Sequence, residues 1–222
     1  MGRLRLAGLA ALVSFLSALP AAAGTILSPS AVLLNTAGDF SAAAAIDSTI
    51  DQSGLSIGFV SGTTDFATYL ASNPVHEWIF TDGSEWFSTG GQTRGVIEYD
   101  LGDSYTISNL ALWNEEFSGI QTMQVETASN AAFIGSVVVG NFLPVNTPFD
   151  QSYPAEVFGL AGSDGRYVRL TITGPQVPNR GIFLSMGEIA FDVNPIPEPA
   201  TLLLLGTGLA AAGIRRRMNK RG

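Results

Sequence analysis

The stretch Gly95–Glu116, GVIEYDLGDSYTISNLALWNEE, decides how this chain folds. From Val96 to Leu101 it alternates, with Val96, Glu98 and Asp100 on one side and Ile97, Tyr99 and Leu101 on the other. That period of two is the pattern of a half-buried strand. Gly102-Asp103-Ser104 supplies turn chemistry, because glycine takes positive φ freely and Asp and Ser bond back to their own backbone. A second strand then reads from Tyr105 through Ile107, Leu110 and Leu112 to Trp113. The pair is expected to be a hairpin forming the spine of an all-β, antiparallel sandwich.

Other segments agree with a sandwich. Gln121–Ala128 alternates, with Met123 and Val125 set against Thr122, Gln124 and Glu126. Phe133–Val139 is a β-branched run suited to a buried strand. Arg166–Thr173 points Val168, Leu170 and Ile172 inward and Tyr167, Arg169 and Thr171 outward. Phe183–Val193 closes the domain with Ile189, Phe191 and Val193 on one face. On this reading Leu170 and Trp113 lie in one shared core. Thr25–Leu34 is expected to be one edge strand, with Pro29 at an edge or bulge. From Asp47 to Gly91, Gly, Ser, Thr and Asp dominate, pinned by aromatics that include Trp78 and Trp86. Ser41–Ile46 has weak helical character but is too short to stand alone. About eight short strands with turn signals between them, and no long helical period, point to a sandwich.

Composition narrows the function. The 222 residues contain no cysteine, so disulfides, thiolate metal sites and a Cys nucleophile are absent. The formal charge of −8 is unevenly distributed. Arg3 and Arg5 lie near the start, and Arg215, Arg216, Arg217, Lys220 and Arg221 near the end. The middle holds Arg94, Arg166, Arg169 and Arg180 against eighteen of the nineteen acids, which leaves it at −14. Such a surface repels phosphate backbones and argues against nucleic acid as a partner. It suits cations, neutral sugars or basic proteins.

The two ends differ from the middle. Residues 1–23 run from a basic start through an apolar core, Leu6–Leu19, to Pro20-Ala21-Ala22-Ala23. This is the pattern of a secretory signal peptide cleaved after Ala23. A membrane anchor is the alternative, against which stand the short core and the A-x-A site. Residues 24–194 form the expected domain. Residues 195–222 read Pro195-Ile196-Pro197-Glu198-Pro199, then an apolar run Ala200–Ile214, then a basic end. Fifteen apolar residues fall short of the roughly twenty that cross a bilayer comfortably, and the arginines would stay cytoplasmic. The tail is thus a hydrophobic helix with stop-transfer character, touching the membrane before any processing.

The tail resembles a PEP-CTERM sorting signal: the Pro197-Glu198-Pro199 motif, a short hydrophobic segment and the Arg215-Arg216-Arg217 cluster occur in that order. The resemblance implies a Gram-negative bacterium that makes extracellular polysaccharide, with processing near the motif by an exosortase-type enzyme. The chain would pass through an inner-membrane intermediate to the cell surface or medium. A plain single-pass anchor is the alternative. The middle, from about Ile50 to Val193, resembles the discoidin or F5/8 type C group of jelly-roll, galactose-binding-like sandwiches. The residues that carry this are Ile50–Leu55, Ser84-Glu85-Trp86, Glu98–Gly102 with Ile107 and Leu112-Trp113-Asn114, Arg166–Leu170 and Glu188–Phe191. One departure is Gln52, where the family often has glycine after the aspartate. Where relatives hold a structural calcium, it lies between the early acidic loop and a glutamate near the final strand, and Asp51 and Glu188 occupy the matching positions.

Catalytic chemistry finds little support. The one histidine, His76, has no nucleophile motif beside it, and zinc lacks a ligand set. Glu115-Glu116 and Asp82/Glu85 imitate glycosidase pairs, but in an acid-rich chain they read as solvated surface. The expected function is a non-catalytic, exported binding or matrix module for carbohydrate or extracellular polysaccharide, with Trp78 or Trp86 stacking on sugar rings. A polysaccharide hydrolase and a purely structural adhesion protein are the alternatives.

Overall fold

The computed structural model describes residues 24–78, 83–115, 118–145, 147, 150–174 and 183–196. Ala23, Pro197, Glu198, Pro199, Arg215, Arg216 and Arg217 lie outside the described residues, as do Asp82 and Glu116. So does the apolar part of the tail; among the described residues no helix is long and apolar enough to cross a membrane.

In chain order the elements are β1 (Thr25–Leu27), β2 (Ala31–Asn35), α1 (Phe66–Ala71), β3 (Val75–His76), β4 (Trp86–Phe87), β5 (Arg94–Trp113), β6 (Thr122–Ala128), β7 (Val137–Phe142), β8 (Tyr153–Pro154), β9 (Glu156–Thr173), β10 (Ser185–Met186) and β11 (Glu188–Pro195). Short 3-10 turns cover Ala42–Ala44 and Ile46–Thr49. Seven antiparallel strands form one sheet in the order β1-β11-β5-β9-β6-β7, with β2 also on β5. Two small ribbons, β3–β8 and β4–β10, stand apart from it.

The expected hairpin at Gly102 is not one. Residues 94–113 form a single strand that never reverses, and β9 accompanies it along its length. The turn-forming residues make a bulge instead. Between Asp100 and Tyr105 the register slips, because β5 carries extra residues there, and Gly102 sits at φ +87°. A second slip falls beside it in β9, between the partners of Ile107 and Asn109, where Gly162 has φ +65°. Paired bulges in adjacent strands bend the sheet onto itself. The first half of β5 pairs with β2 and the second half with β11. Ile97 and Tyr99 from one half then share a core with Leu110 and Leu112 from the other and with Ile189 and Phe191 of β11. The result is a two-layer antiparallel sandwich.

The alternation in β5, β6 and β9 is as the sequence predicts: Ile97, Met123, Val125, Val168, Leu170 and Ile172 all face the core. On the opposite face of the same layer, Arg166 grips both oxygens of Asp100 at 2.7 and 2.8 Å. Beside it, Arg169 reaches Glu98 at 2.7 Å and lies 3.9 Å from the ring centroid of Phe133. Leu170 and Trp113 do not share a core. Trp113 points to the outer face of the β1–β11–β5 layer, where Ile26, Phe66, Tyr69, Tyr153 and Ala190 form a second cluster. Helix α1 covers this face, which is why β11 is buried on both sides. Its amino end is capped by Asp65, which accepts from Thr68 N at 2.7 Å.

Two further segments differ from expectation. Thr25–Leu34 is split at Ser28-Pro29-Ser30 into two strands that pair with β11 and β5, so proline marks a crossing between layers. The predicted buried strand at Phe133–Val139 starts four residues late. It is the edge strand β7, paired among the described residues to β6 alone, with Val137 and Val138 exposed.

Candidate functional site

Bending β5 brings both of its ends to the same end of the sandwich. Gly174 N donates to Thr93 O at 3.1 Å, Gln121 N to Thr173 O at 2.7 Å and Gly187 N to Trp113 O at 2.9 Å. The described residues that follow β5, precede β6 and begin the segment after β9 therefore gather here, with both ribbons. Loops grouped on a rigid scaffold are where binding sites are usually built.

A strap of three residues, Leu143–Val145, crosses this end and is held at both sides. Asn114 Nδ2 donates to Val145 O and to Ile120 O, each at 3.2 Å, while its Oδ1 accepts from Ile120 N at 2.8 Å. From the other side Val145 N donates to Glu156 Oε2 at 2.7 Å. Leu143 and Val145 are left well exposed. A groove lies on each side of the strap. One, of about 270 Å³, is lined by Leu112, Asn114, Val145, Thr147, Pro154 and Glu156. The other, of about 340 Å³, presents Thr122, Gln124, Asn141 and Thr171 beside Phe142 and Leu143. Each thus combines apolar walls with hydroxyl and amide groups. The sequence points to none of these residues as a binding residue, because the strap becomes visible only once β5 bends.

The two candidate tryptophans separate. Trp78, two residues beyond the β3–β8 ribbon, is 42% exposed. Trp86 is a correction: it is fully buried in the sandwich core, and its Nε1 donates to Gly38 O at 3.2 Å and Asp39 Oδ1 at 3.1 Å. A ring closed off in this way cannot stack on a ligand. Its place in β4 roofs the core.

The acidic pairs are also corrected, since their described members are interior rather than solvated. Glu85 is buried, and Tyr153 donates to its Oε1 at 2.6 Å. Burial pushes its carboxyl up to about 8, with Glu115 and Glu77 adding to the effect and the tyrosine opposing it. Glu115 accepts from Ser185 Oγ at 2.7 Å and from Ser118 N. His76 is fully buried, stacked on Tyr153 and with both ring nitrogens against carbonyls, of Glu77 at 2.7 Å and Ser84 at 3.1 Å. Burial holds its pKa below the ordinary value. Gly187 lets this layer close, since a Cβ there would stand 2.6 Å from the Tyr153 hydroxyl. Neither glutamate lines either groove.

Asp51 and Glu188 are brought together. Glu188 is fully buried; its Oε2 accepts from Gln52 N at 2.8 Å, and its Oε1 has no hydrogen-bond partner. Burial raises its pKa well above the usual carboxylate range, and the charge of Asp51 raises it further. Asp51 is exposed and folds back on Ser53, whose amide donates to it at 2.8 Å. Gln52 stands at φ +64°, the left-handed conformation that glycine favours. It offsets the strain with a bond of its own, accepting from Phe59 N at 2.8 Å. No group of three or more His, Cys, Asp or Glu able to hold a metal occurs among the described residues. An ion here would rest on two carboxylates together with loop carbonyls.

Comparison with known proteins agrees with this architecture. Residues 195–217 match the PEP-CTERM protein-sorting motif, which marks the chain for export to the cell envelope or surface. No curated protein sequence matches the chain. Among solved structures, the C-terminal domain of a chitobiase from Bacteroides fragilis superposes with a TM-score of 0.51 at 15% identity, over 78% of this chain and 99% of that one. A mutant of chitosan-binding module 1, from a chitosanase/glucanase of Paenibacillus sp. IK-5, gives 0.50 at 16% identity, over 76% and 98%. The fold ahead of the sorting motif is thus a galactose-binding-like β-sandwich.

Proposed function

We propose that the chain is an exported, non-catalytic module that binds carbohydrate, with extracellular polysaccharide or a cell-surface glycan as its partner. The observation that carries this is the pinned strap with its two grooves. Hydroxyl, amide and carboxylate groups stand there beside apolar side chains, the mixture that a sugar's hydroxyls and C–H faces require. Trp78, exposed just beyond the ribbon whose Pro154 lines one groove, adds an aromatic side chain for stacking. A net −14 between the leader and the tail favours neutral or cationic glycans over anionic ones. The similar Paenibacillus domain is named as chitosan-binding, which supports the same class of ligand. The hydrolase reading is the weaker one, because Glu85 and Glu115 are enclosed and committed to internal donors.

The proposal extends to maturation and metal. The leader is removed after Ala23, leaving residues 24–194 as the domain, and an exosortase-type enzyme acts near Pro197-Glu198-Pro199 after an inner-membrane stage. Calcium binds at Glu188 and Asp51, where it would neutralise the buried carboxylate and engage the oxygen that lacks a donor. The test is a screen of the exported, mature protein against neutral, cationic and anionic polysaccharides. Binding that weakens about tenfold or more in Trp78→Ala, with melting temperature unchanged, supports the reading. Uniform failure to bind overturns it in favour of a structural or adhesive role, and polysaccharide turnover overturns it in favour of the hydrolase.

A further inference from the structure

Gly24, the residue that follows the expected cleavage point, is packed against a carboxylate short of partners. Asp192 lies on β11 opposite Ile26 and is only 9% exposed. Its Oδ2 accepts from Asn109 Nδ2 at 2.5 Å, while its Oδ1 has no hydrogen-bond partner. A Cβ placed on Gly24 would stand 1.6 Å from that Oδ1. The oxygen therefore fills the space in which any other residue would carry a side chain. The nitrogen and Cβ of one residue are about 2.5 Å apart, so the Gly24 nitrogen is within about 4 Å of Oδ1 whatever its direction. Gly24 is also held in place, because its carbonyl accepts from Phe66 N at 3.0 Å and Thr25 pairs with Val193.

We propose that removal of the leader completes this corner. Hydrolysis of the Ala23–Gly24 amide gives the departing Ala23 carboxylate the oxygen of water, and the released amine takes up a proton. The new α-ammonium at Gly24 then pairs with Asp192, so the mature amino terminus is the missing partner of a buried carboxylate. An amide nitrogen offers one hydrogen and no charge, whereas the ammonium offers three and a full positive charge. Among the described residues next to this corner the charged one is Asp65, which caps α1 and bridges Thr25; being negative, it reinforces the attraction. Among the described residues no arginine pairs with Asp192. Maturation would thus be read by the fold itself, with the processed chain more stable than one carrying even a single residue ahead of Gly24.

The pairing has a definite pH signature. An ammonium beside a carboxylate has its pKa raised above the α-amino value of about 7.7–8.0. Its contribution is therefore complete below about pH 8 and lost as pH rises through the raised value. To test it, the full-length chain is exported from a Gram-negative host and the mature protein is sequenced from its amino end, where Gly24 is expected first. A serine inserted ahead of Gly24 moves the ammonium by about 3.5 Å. At pH 6.5 the insertion and Asp192→Asn are each expected to lower the melting temperature by about 3–6 °C, and in combination to lower it by no more than the larger single effect. The α-amine of the unaltered protein, followed by the pH dependence of its acylation, is expected to titrate above pH 8. Additive melting effects, a mature terminus other than Gly24, or an α-amine titrating at or below about 8 overturns the proposal. Should Asp192→Asn fail to accumulate, the titration of the unaltered protein decides alone.

Discussion

Glu85 offers the sharpest physical prediction. It is 3% exposed, pairs with no arginine or lysine among the described residues, and has a carboxyl raised from 4.5 to about 8; the nearby His76, 3.7 Å away, is itself buried with a lowered pKa. A carboxyl whose folded pKa lies above its unfolded value favours the native state at low pH. That advantage is lost as pH climbs from about 4.5 through about 8. At 1.36 kcal/mol per unit, the full shift corresponds to about 5 kcal/mol across the window. Water entering around the ionised group reduces this to roughly 3–5 kcal/mol. Glu85→Gln keeps an acceptor for the Tyr153 hydroxyl and removes the titration. The wild-type protein should therefore lose stability between pH 5 and 8.5 while the variant stays nearly flat, with the variant the more stable above pH 8. Urea denaturation at half-unit pH steps measures both curves. Their difference isolates Glu85, because Glu188 and His76 titrate in both proteins. Parallel curves would refute the burial argument.

The remaining predictions concern the core, the metal and the roof. Leu170→Ala should cost about 2–5 kcal/mol as a large-to-small core change. Arg169→Ala, which removes partly exposed pairings with Glu98 and Glu126 and the contact with Phe133, should cost about 1–2 kcal/mol. Equal losses in denaturant titrations would mean that the alternation is misread. Added calcium should raise the melting temperature in a concentration-dependent way, magnesium much less, and Glu188→Gln should abolish the rise. A melting temperature that ignores both calcium and chelator removes the ion. Gly187→Ala drives a methyl group into Tyr153 and His76 and should cost about 1–3 kcal/mol in the same titrations; no measurable loss would show that the buried layer is looser than described.

The layers of this fold are legible in the sequence because alternation is a local signal. Val168, Leu170 and Ile172 announce their face without knowledge of any partner strand. What alternation does not encode is whether a turn-forming tripeptide reverses the chain. Gly102-Asp103-Ser104 suits a hairpin and a bulge equally, and the choice falls to pairings with β2, β9 and β11 made far along the chain. Burial on the outer face was hidden for the same reason. Trp113 and the continuous burial of β11 depend on α1, a six-residue helix too short to show a period. At the candidate site, Asp51 and Glu188 could be paired by their resemblance to known positions, whereas Trp86 and Trp78 look alike in sequence and differ only in what covers them. The strap is absent from any local pattern, since Asn114 and Glu156 meet Val145 only after both long strands have bent.

The direction in which β11 runs gives the domain a polarity with mechanical meaning. It starts at Glu188 beside Trp113, next to the grooves, and ends at Pro195 beside Tyr105, next to the bulge that bends β5. β1 lies antiparallel to it with Thr25 opposite Val193, so the first and last strands of the described domain both have their outer ends at the pole opposite the grooves. A domain tethered through its carboxyl end therefore turns its grooves outward. Tension between that tether and a ligand held at the far pole acts along β11 rather than across it. Its hydrogen bonds to β1 and β5 are then loaded side by side in shear, and must yield together instead of unzipping one at a time.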